Sequence, residues 1–396
     1  MTSRRAAATT VFVVSVVHGL LSVPYPASAA VLLAHGLGNA EYGSLFVPQL
    51  ALAALGALGA GSVLESLGPK RALVLGLAFM ALSPLALIAG VGAGTPWIYP
   101  LALAGTALLG LGAGLCAGPL SAYPQVLFPA RSESAVVAVH TLIGLGLAVS
   151  PLLSALAQAW RVWPAYPLAL LGLGAVFSTA VERERLPEPE PRAGGAAPRR
   201  PVGSRRLWVF MGIVFLYGCT EALFGNWTIP FLTEERGIAP AGAAFALAAF
   251  WASLSVGRVT VALVVSRVRP GPVLPVLAAL MCVAALLVPA ASGARGALVF
   301  LSLAGLGCSA VFPLSVGLAC GRFPSHRAWV SGTLYAALCS GLGTGSLAAG
   351  VLHERLALST ICRLGAAPPA AAALLAVLAT ASPALLTGRR KGDLAG

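Results

Sequence analysis

Charge is the scarcest property of this sequence. Of its 396 residues only 9% are charged, whereas a soluble globular domain carries about a quarter. Hydrophobic residues make up 58% and the mean hydropathy is +0.90, so the chain reads as a polytopic membrane protein. The seven cysteines stand singly within apolar stretches, with no C-x-x-C pair and no metal-ligand spacing to histidine. A disulfide framework and a zinc site are thereby excluded, and the thiols read as small packing residues. There is no G-x-x-x-x-G-K-[ST] loop to cradle phosphates, which argues against ATP-driven work by this chain. Acid–base or nucleophile triads have no soluble domain to occupy. Neither an enzyme nor a cofactor is expected.

What is abundant is apolar sequence in lengths that fit a bilayer. A hydrocarbon core about 30 Å thick needs roughly 20 apolar residues in helix. Such windows fall near 9–33, 43–67, 72–93, 97–122, 133–157, 162–181, 207–232, 240–267, 272–292, 296–321, 328–351 and 360–387. The predicted fold is all-α, with twelve transmembrane helices. The N-terminus imitates a secretory signal, but later segments repeat its pattern, so it is kept as the first span.

A formal charge of +13 could indicate a nucleic-acid binder, yet the basic residues lie in the short connections. With both termini in the cytoplasm, only Arg161, Arg236, Arg295, Arg355 and Arg363 fall outside, and Arg258 falls within a span. Every other Lys and Arg is inside, which sets the orientation by the positive-inside rule. The expected location is a cell membrane, such as a bacterial inner membrane, with lipids as partners and no nucleic acid. Between the sixth and seventh spans, "ERERLPEPEPRAGGAAPRRPVGSRR" is Pro-rich and lacks apolar periodicity. It reads as a cytoplasmic linker, 182–206, between an N-terminal half, 1–181, and a C-terminal half, 207–396.

The halves echo each other. "GPLSAYPQVLFPARSESA" from Gly118 returns as "FPLSVGLACGRFPSHRA" from Phe312, and "VVHGLLS" of the first span returns as "FLYGCTE" of the seventh. Two pseudo-symmetric six-helix bundles around a pathway form a transporter architecture, with the solute site near the midplane.

Between the second and third spans stands "GSVLESLGPKRAL". Gly61, Glu65, Gly68, Lys70 and Arg71 resemble the loop signature of the major facilitator superfamily, with Glu for the usual Asp and Ser66 where Arg is common. The second-half counterpart, "ALVVSRVRPGPV", keeps Arg267 but has Ser266 in the acid's place. The resemblance spans all twelve segments. It implies a secondary transporter in which these loop residues make contacts that form in one state and break in another. "YGCTEALFGNW" and "FWASLSVGRV" are similar to the seventh and eighth helices of the fucose-permease-like sugar transporters, which implies a sugar-like solute.

Ionisable groups within spans are functional candidates, because each costs several kcal/mol unless paired or wet. Glu221 is the only acid expected deep in the membrane. Tyr217, Thr220, Glu221, Phe224 and Thr228 fall on one helical face, while Asn226 and Trp227 lie off it, with a helix break expected at Gly225. Trp251, Ser255 and Arg258 share a face of the eighth span. Glu221 and Arg258 are placed to interact, either as a permanent pair or as an exchanging one, unless Glu221 stays isolated and protonated. His18 and His140 are further proton-coupling candidates. Gln125, Tyr123, Tyr335, Ser340 and Thr344 add polar surface, and His35 and Glu41 belong to a solvated outer loop. Together these point to proton-coupled movement of a small polar, sugar-like solute by a monomer. The alternatives are export of an amphipathic compound and a transporter-like sensor that binds without transporting.

Overall fold

The computed structural model describes residues 2–187, 201–268 and 270–380; the side chains of 2, 3, 58–67, 133, 270 and 328 lie outside that set. Lipid offers no partner to backbone N–H and C=O groups, so a spanning chain satisfies them within helices. The described chain is accordingly helical, without a strand. The long helices are α1 (Thr2–Ser22), α2 (Phe46–Ala93), α3 (Ile98–Leu127), α4 (Ser132–Ala159), α5 (Ala165–Arg183) and α6 (Arg205–Pro230). They continue with α7 (Pro240–Val265), α8 (Pro270–Leu287), α9 (Gly293–Cys308), α10 (Val311–Arg322), α11 (Arg327–His353) and α12 (Ala367–Thr380).

Eleven segments are long and apolar enough to cross a membrane among the described residues. The second expected span, 43–67, is the first arm of α2, and part of it lies outside the described side chains. α2 bends at Gly68, whose φ of 76° and ψ of 155° suit glycine alone. The linker residues 188–200 and the end of the twelfth window, 381–387, lie outside the described residues.

Three segments differ from the sequence expectation. The first window, 9–33, is regular only to Ser22, because Pro24 and Pro26 follow and the chain continues in the short turns Pro24–Ala27 and Ala29–Ala34. The seventh span shows no break at Gly225; α6 runs through it to Pro230 and ends in a π-helical turn, Phe231–Glu235. The tenth, expected as one helix, is interrupted between Cys308 and Val311. The echoed Phe-Pro motif does give the same backbone twice. Phe128 (φ −132°, ψ 61°) and Phe323 (φ −124°, ψ 62°) each end a helix before a 3-10 turn, Pro129–Arg131 and Pro324–His326.

Between helices in lipid, packing rests on close backbone approach at small residues. α1 meets α4 where Gly19 faces Gly146: a Cβ on Gly146 would come 2.2 Å from the Val16 carbonyl oxygen. α4 in turn packs on α7, and α11 on α2, so these two seams join the N-terminal helices to the C-terminal ones. Gly146→Val lowers the thermal midpoint of detergent-purified protein by several degrees, since overpacking costs about 1–3 kcal/mol. Gly172→Val, at a position with nothing within 4 Å, leaves the midpoint unchanged in the same melt.

Candidate functional site

Because α6 is unbroken, Tyr217, Thr220, Glu221, Phe224 and Thr228 do share one face, and all are buried. The Tyr217 phenol lies beside the Glu221 carboxyl and interacts with it. The hydroxyls of Thr220 and Thr228 donate back to their own helix, to the carbonyls of Leu216 (3.3 Å) and Phe224 (2.6 Å). Glu221 is only 7% exposed. Cys308 at the end of α9 and Cys339 of α11 lie within electrostatic reach of it. The acid is thus enclosed among the C-terminal helices. Gly225 makes room for the ring of Trp251, to which a Cβ there would come within 3.2 Å.

Arg258 takes a different partner from the one its spacing suggested. Its Nε donates to the Ser309 carbonyl at 3.0 Å, at the interruption between α9 and α10. The reason lies four residues on: in a continuous helix that carbonyl would accept the N–H of residue 313, and Pro313 has none. α7 is held against this point because Gly257 leaves no bulk there; a Cβ would sit 2.6 Å from that of Ser309. Arg258 and Glu221 are near enough for their charges to act on one another. They form no ion pair; the close ion pair among the described residues is His353–Glu234, at 3.3 Å.

His140 of α4 is exposed and lies in electrostatic reach of both His18 of α1 and Arg258 of α7. His18 is half-buried, with a buried Nδ1 that has no hydrogen-bond partner. Here α4 and α7 touch closely: a Cβ on Gly144 would meet the Ser255 hydroxyl at 1.8 Å, while that hydroxyl donates to the Trp251 carbonyl at 2.9 Å. The two histidines, Arg258, Ser255 and Trp251 therefore gather where α1, α4 and α7 meet. Among the described residues no cluster of His, Cys, Asp or Glu could hold a metal ion.

Asn226 and Trp227 are placed elsewhere. The Asn226 amide donates to the Ser346 hydroxyl (3.3 Å) and the Trp227 indole to the Ser346 carbonyl (3.2 Å), fastening α6 to α11. Tyr42, from the turn Asn39–Ser44, crosses to the same point. Its phenol donates to the Asn226 carbonyl at 2.8 Å, and its ring meets Trp227 edge-on at 5.1 Å. Burial raises the Tyr42 phenol well above its usual pKa, with the Glu234 carboxylate adding to the effect, so it stays a donor. Gly43 and Gly350 bring the two backbones into contact beside it. His353 packs on Trp227 (6.0 Å) and meets Glu234, while Glu235 accepts the N–H of Ser359 (3.0 Å) and that of Leu358. These residues seal the end of the molecule opposite the linker. Little in the local sequence signals them, because Tyr42 sits in a stretch that reads as outer loop. His35 and Glu41 do make only local bonds, to Val31 O (2.7 Å) and from Gly38 N–H (2.9 Å).

The other candidates scatter. Gln125 is exposed and donates to the Ser121 carbonyl (2.7 Å), Tyr335 packs on Phe312 of α10, and Ser340 and Thr344 are exposed on α11. Of the loop residues, the Lys70 ammonium donates to the Glu182 carbonyl (2.5 Å) at the end of α5, and Arg71 and Arg267 are exposed. The side chains at Gly61 and Glu65 lie outside the described residues.

An all-helical, multi-span chain with charged groups gathered between helices and one end sealed defines a membrane carrier rather than an enzyme. The chain belongs to the Major Facilitator Superfamily, whose sequence profile matches residues 9–294. No curated protein matches it in sequence. Among solved structures it is similar to a bacterial homologue of the human lysosomal transporter Spinster in an inward-facing, occupied conformation, with 14% identity, TM-score 0.71 and 96% of each chain covered. It is also similar to the transporter FucP in an outward conformation, with 16% identity, TM-score 0.63, and 94% of this chain and 99% of that one covered. A variant of FucP, the E. coli fucose:proton symporter, gives 15% identity and TM-score 0.63, covering 96% of this chain and 99% of that one.

Tyr42→Phe removes one hydrogen bond from the seal, worth about 0.5–1.5 kcal/mol. Spin labels replacing the exposed Arg161 and Arg355, in a background without native cysteines, are expected to show a longer-distance population in Tyr42→Phe; an unchanged distribution would deny Tyr42 its part in closure.

Proposed function

We propose that this chain is a secondary carrier that moves a small polar solute by alternating access between two six-helix halves, 1–181 and 207–396, joined by the linker 182–206. The pattern of neighbours supports the halves. The first span packs on the fifth as the seventh does on the eleventh, the second and third pack on the fourth as the eighth does on the tenth, and the third packs on the sixth as the ninth does on the twelfth. The observation that carries the reading is the contact of the Asn39–Ser44 turn with α6, where the Tyr42 phenol donates to the Asn226 carbonyl and its ring meets Trp227 edge-on.

The basic connections support a cytoplasmic linker and cytoplasmic termini; with that orientation the Tyr42 end faces outward, and the state is read as inward-facing. The Spinster homologue, the neighbour with the higher TM-score, is also described as inward-facing. Glu221 is the proton-coupling group, because its buried carboxyl has a phenol for a partner and no cation in contact. A group so placed exchanges its proton when the bundle rearranges. His18 and His140 are secondary candidates along the same pathway. A sugar-like solute is the leading class, supported by the likeness of the seventh and eighth spans and of the whole fold to a fucose:proton symporter.

Glu221→Gln in proteoliposomes is expected to abolish accumulation driven by a pH gradient while solute exchange persists at a reduced rate. Accumulation equal to wild type would remove Glu221 from coupling.

A further inference from the structure

Arg258 makes no close ion pair among the described residues. Its Cα lies roughly 10 Å along α7 from the linker end, while the Ser309 carbonyl it grips lies roughly 20 Å from the corresponding end of α10, at 1.5 Å per residue. The side chain therefore reaches away from the headgroups, toward the middle of the membrane, the opposite of snorkelling. This direction agrees with the tilt of side chains toward a helix's N-terminus.

A guanidinium has five N–H donors in a planar fork suited to a carboxylate. In the described contacts one of them is used, by Nε, on a neutral carbonyl. Glu221, the nearby acid, forms no ion pair with it and has the Tyr217 phenol beside it. Its other titratable neighbours are His140, the Tyr217 phenol and the Cys308 thiol, none of which is a carboxylate. A cation within a span is costly unless paired or wet; this one is half-buried, its Nε held by the Ser309 carbonyl that Pro313 leaves open, where Gly257 lets α7 approach. On the same face of α7, the Trp251 indole is buried (9% exposed) and its N–H finds no partner in the protein. Two sets of donors thus stand without acceptors along one stripe.

We propose that the solute carried by this protein is a small organic acid of the polyhydroxylated monocarboxylate class, its carboxylate held by the Arg258 fork and its hydroxyls by donors such as the Trp251 indole. The inference rests on the carrier reading above and changes its solute from a neutral sugar to a sugar acid. Arg258 is then a binding residue, set by the carbonyl that Pro313 frees.

The test uses purified full-length protein and matched pairs that differ only in the acid: galacturonate against galactose, gluconate against glucose, and glycerate against glycerol. Calorimetric titration is expected to show at least one acid binding tenfold or more tightly than its neutral partner. Arg258→Gln is expected to bring that pair within threefold, and Arg258→Lys to keep part of the preference. The thermal midpoint without solute, measured on both variants, separates lost binding from lost folding. Neutral members binding as well as the acids, a preference that survives Arg258→Gln in folded protein, or no binding of any acid would each overturn the proposal. Counterflow in proteoliposomes distinguishes the two readings. Movement of a neutral sugar unaffected by Arg258→Gln ends the acid reading and leaves the carrier intact. Tight binding of an acid that never crosses the bilayer ends the carrier reading and leaves the site.

Discussion

Every helix in lipid has already satisfied its own backbone, so what remains to hold helices together is how closely those backbones can approach. In this protein that constraint is met by glycine facing another backbone. Gly19 and Gly146 join α1 to α4, and Gly43 and Gly350 join the outer turn to α11. Gly257 sets α7 against the interruption between α9 and α10. The polar contacts that matter follow from these approaches. Without Gly257 in that place Arg258 would not find Ser309, and without Gly43 beside Gly350 Tyr42 would not reach Asn226.

The seal and the charged cluster divide the pathway between them. At the end opposite the linker, an edge-on aromatic pair and a chain of neutral hydrogen bonds join segments from the two ends of the sequence. Each such bond contributes little alone, about 0.5–1.5 kcal/mol, which suits a closure that must reopen in every cycle. Closer to the linker, the groups are few, charged and tied to neutral partners: a phenol for Glu221 and a carbonyl for Arg258. Arg258 and Glu221 lie in electrostatic reach of one another without forming an ion pair, a contact whose breaking away from water would be expensive.

The interruption of the tenth span shows how a covalent feature becomes a functional one. Pro119 stands at the matching place of the fourth span, within the echoed Pro-Leu-Ser, yet α3 continues through it. Proline alone therefore does not break the helix. At Ser309 the freed carbonyl has an arginine within reach, and the backbone opens there.

Composition and spacing were enough to read the spans, the basic linker, the signature around Gly68 and the polar stripe of α6, because the bilayer imposes a length, the positive-inside rule a charge pattern, and the helix a period. Those are local constraints, and local sequence expresses them. The partners were decided only by the tertiary structure. Arg258 spacing favoured Glu221, while the carbonyl left open by Pro313, some fifty residues further along, captured its Nε. Asn226 and Trp227, read from sequence as solute-ligand candidates, contact Ser346 and Tyr42, the latter 184 residues from Asn226. Such pairings depend on which backbones come within van der Waals contact, and in this chain glycines from distant spans set that distance together.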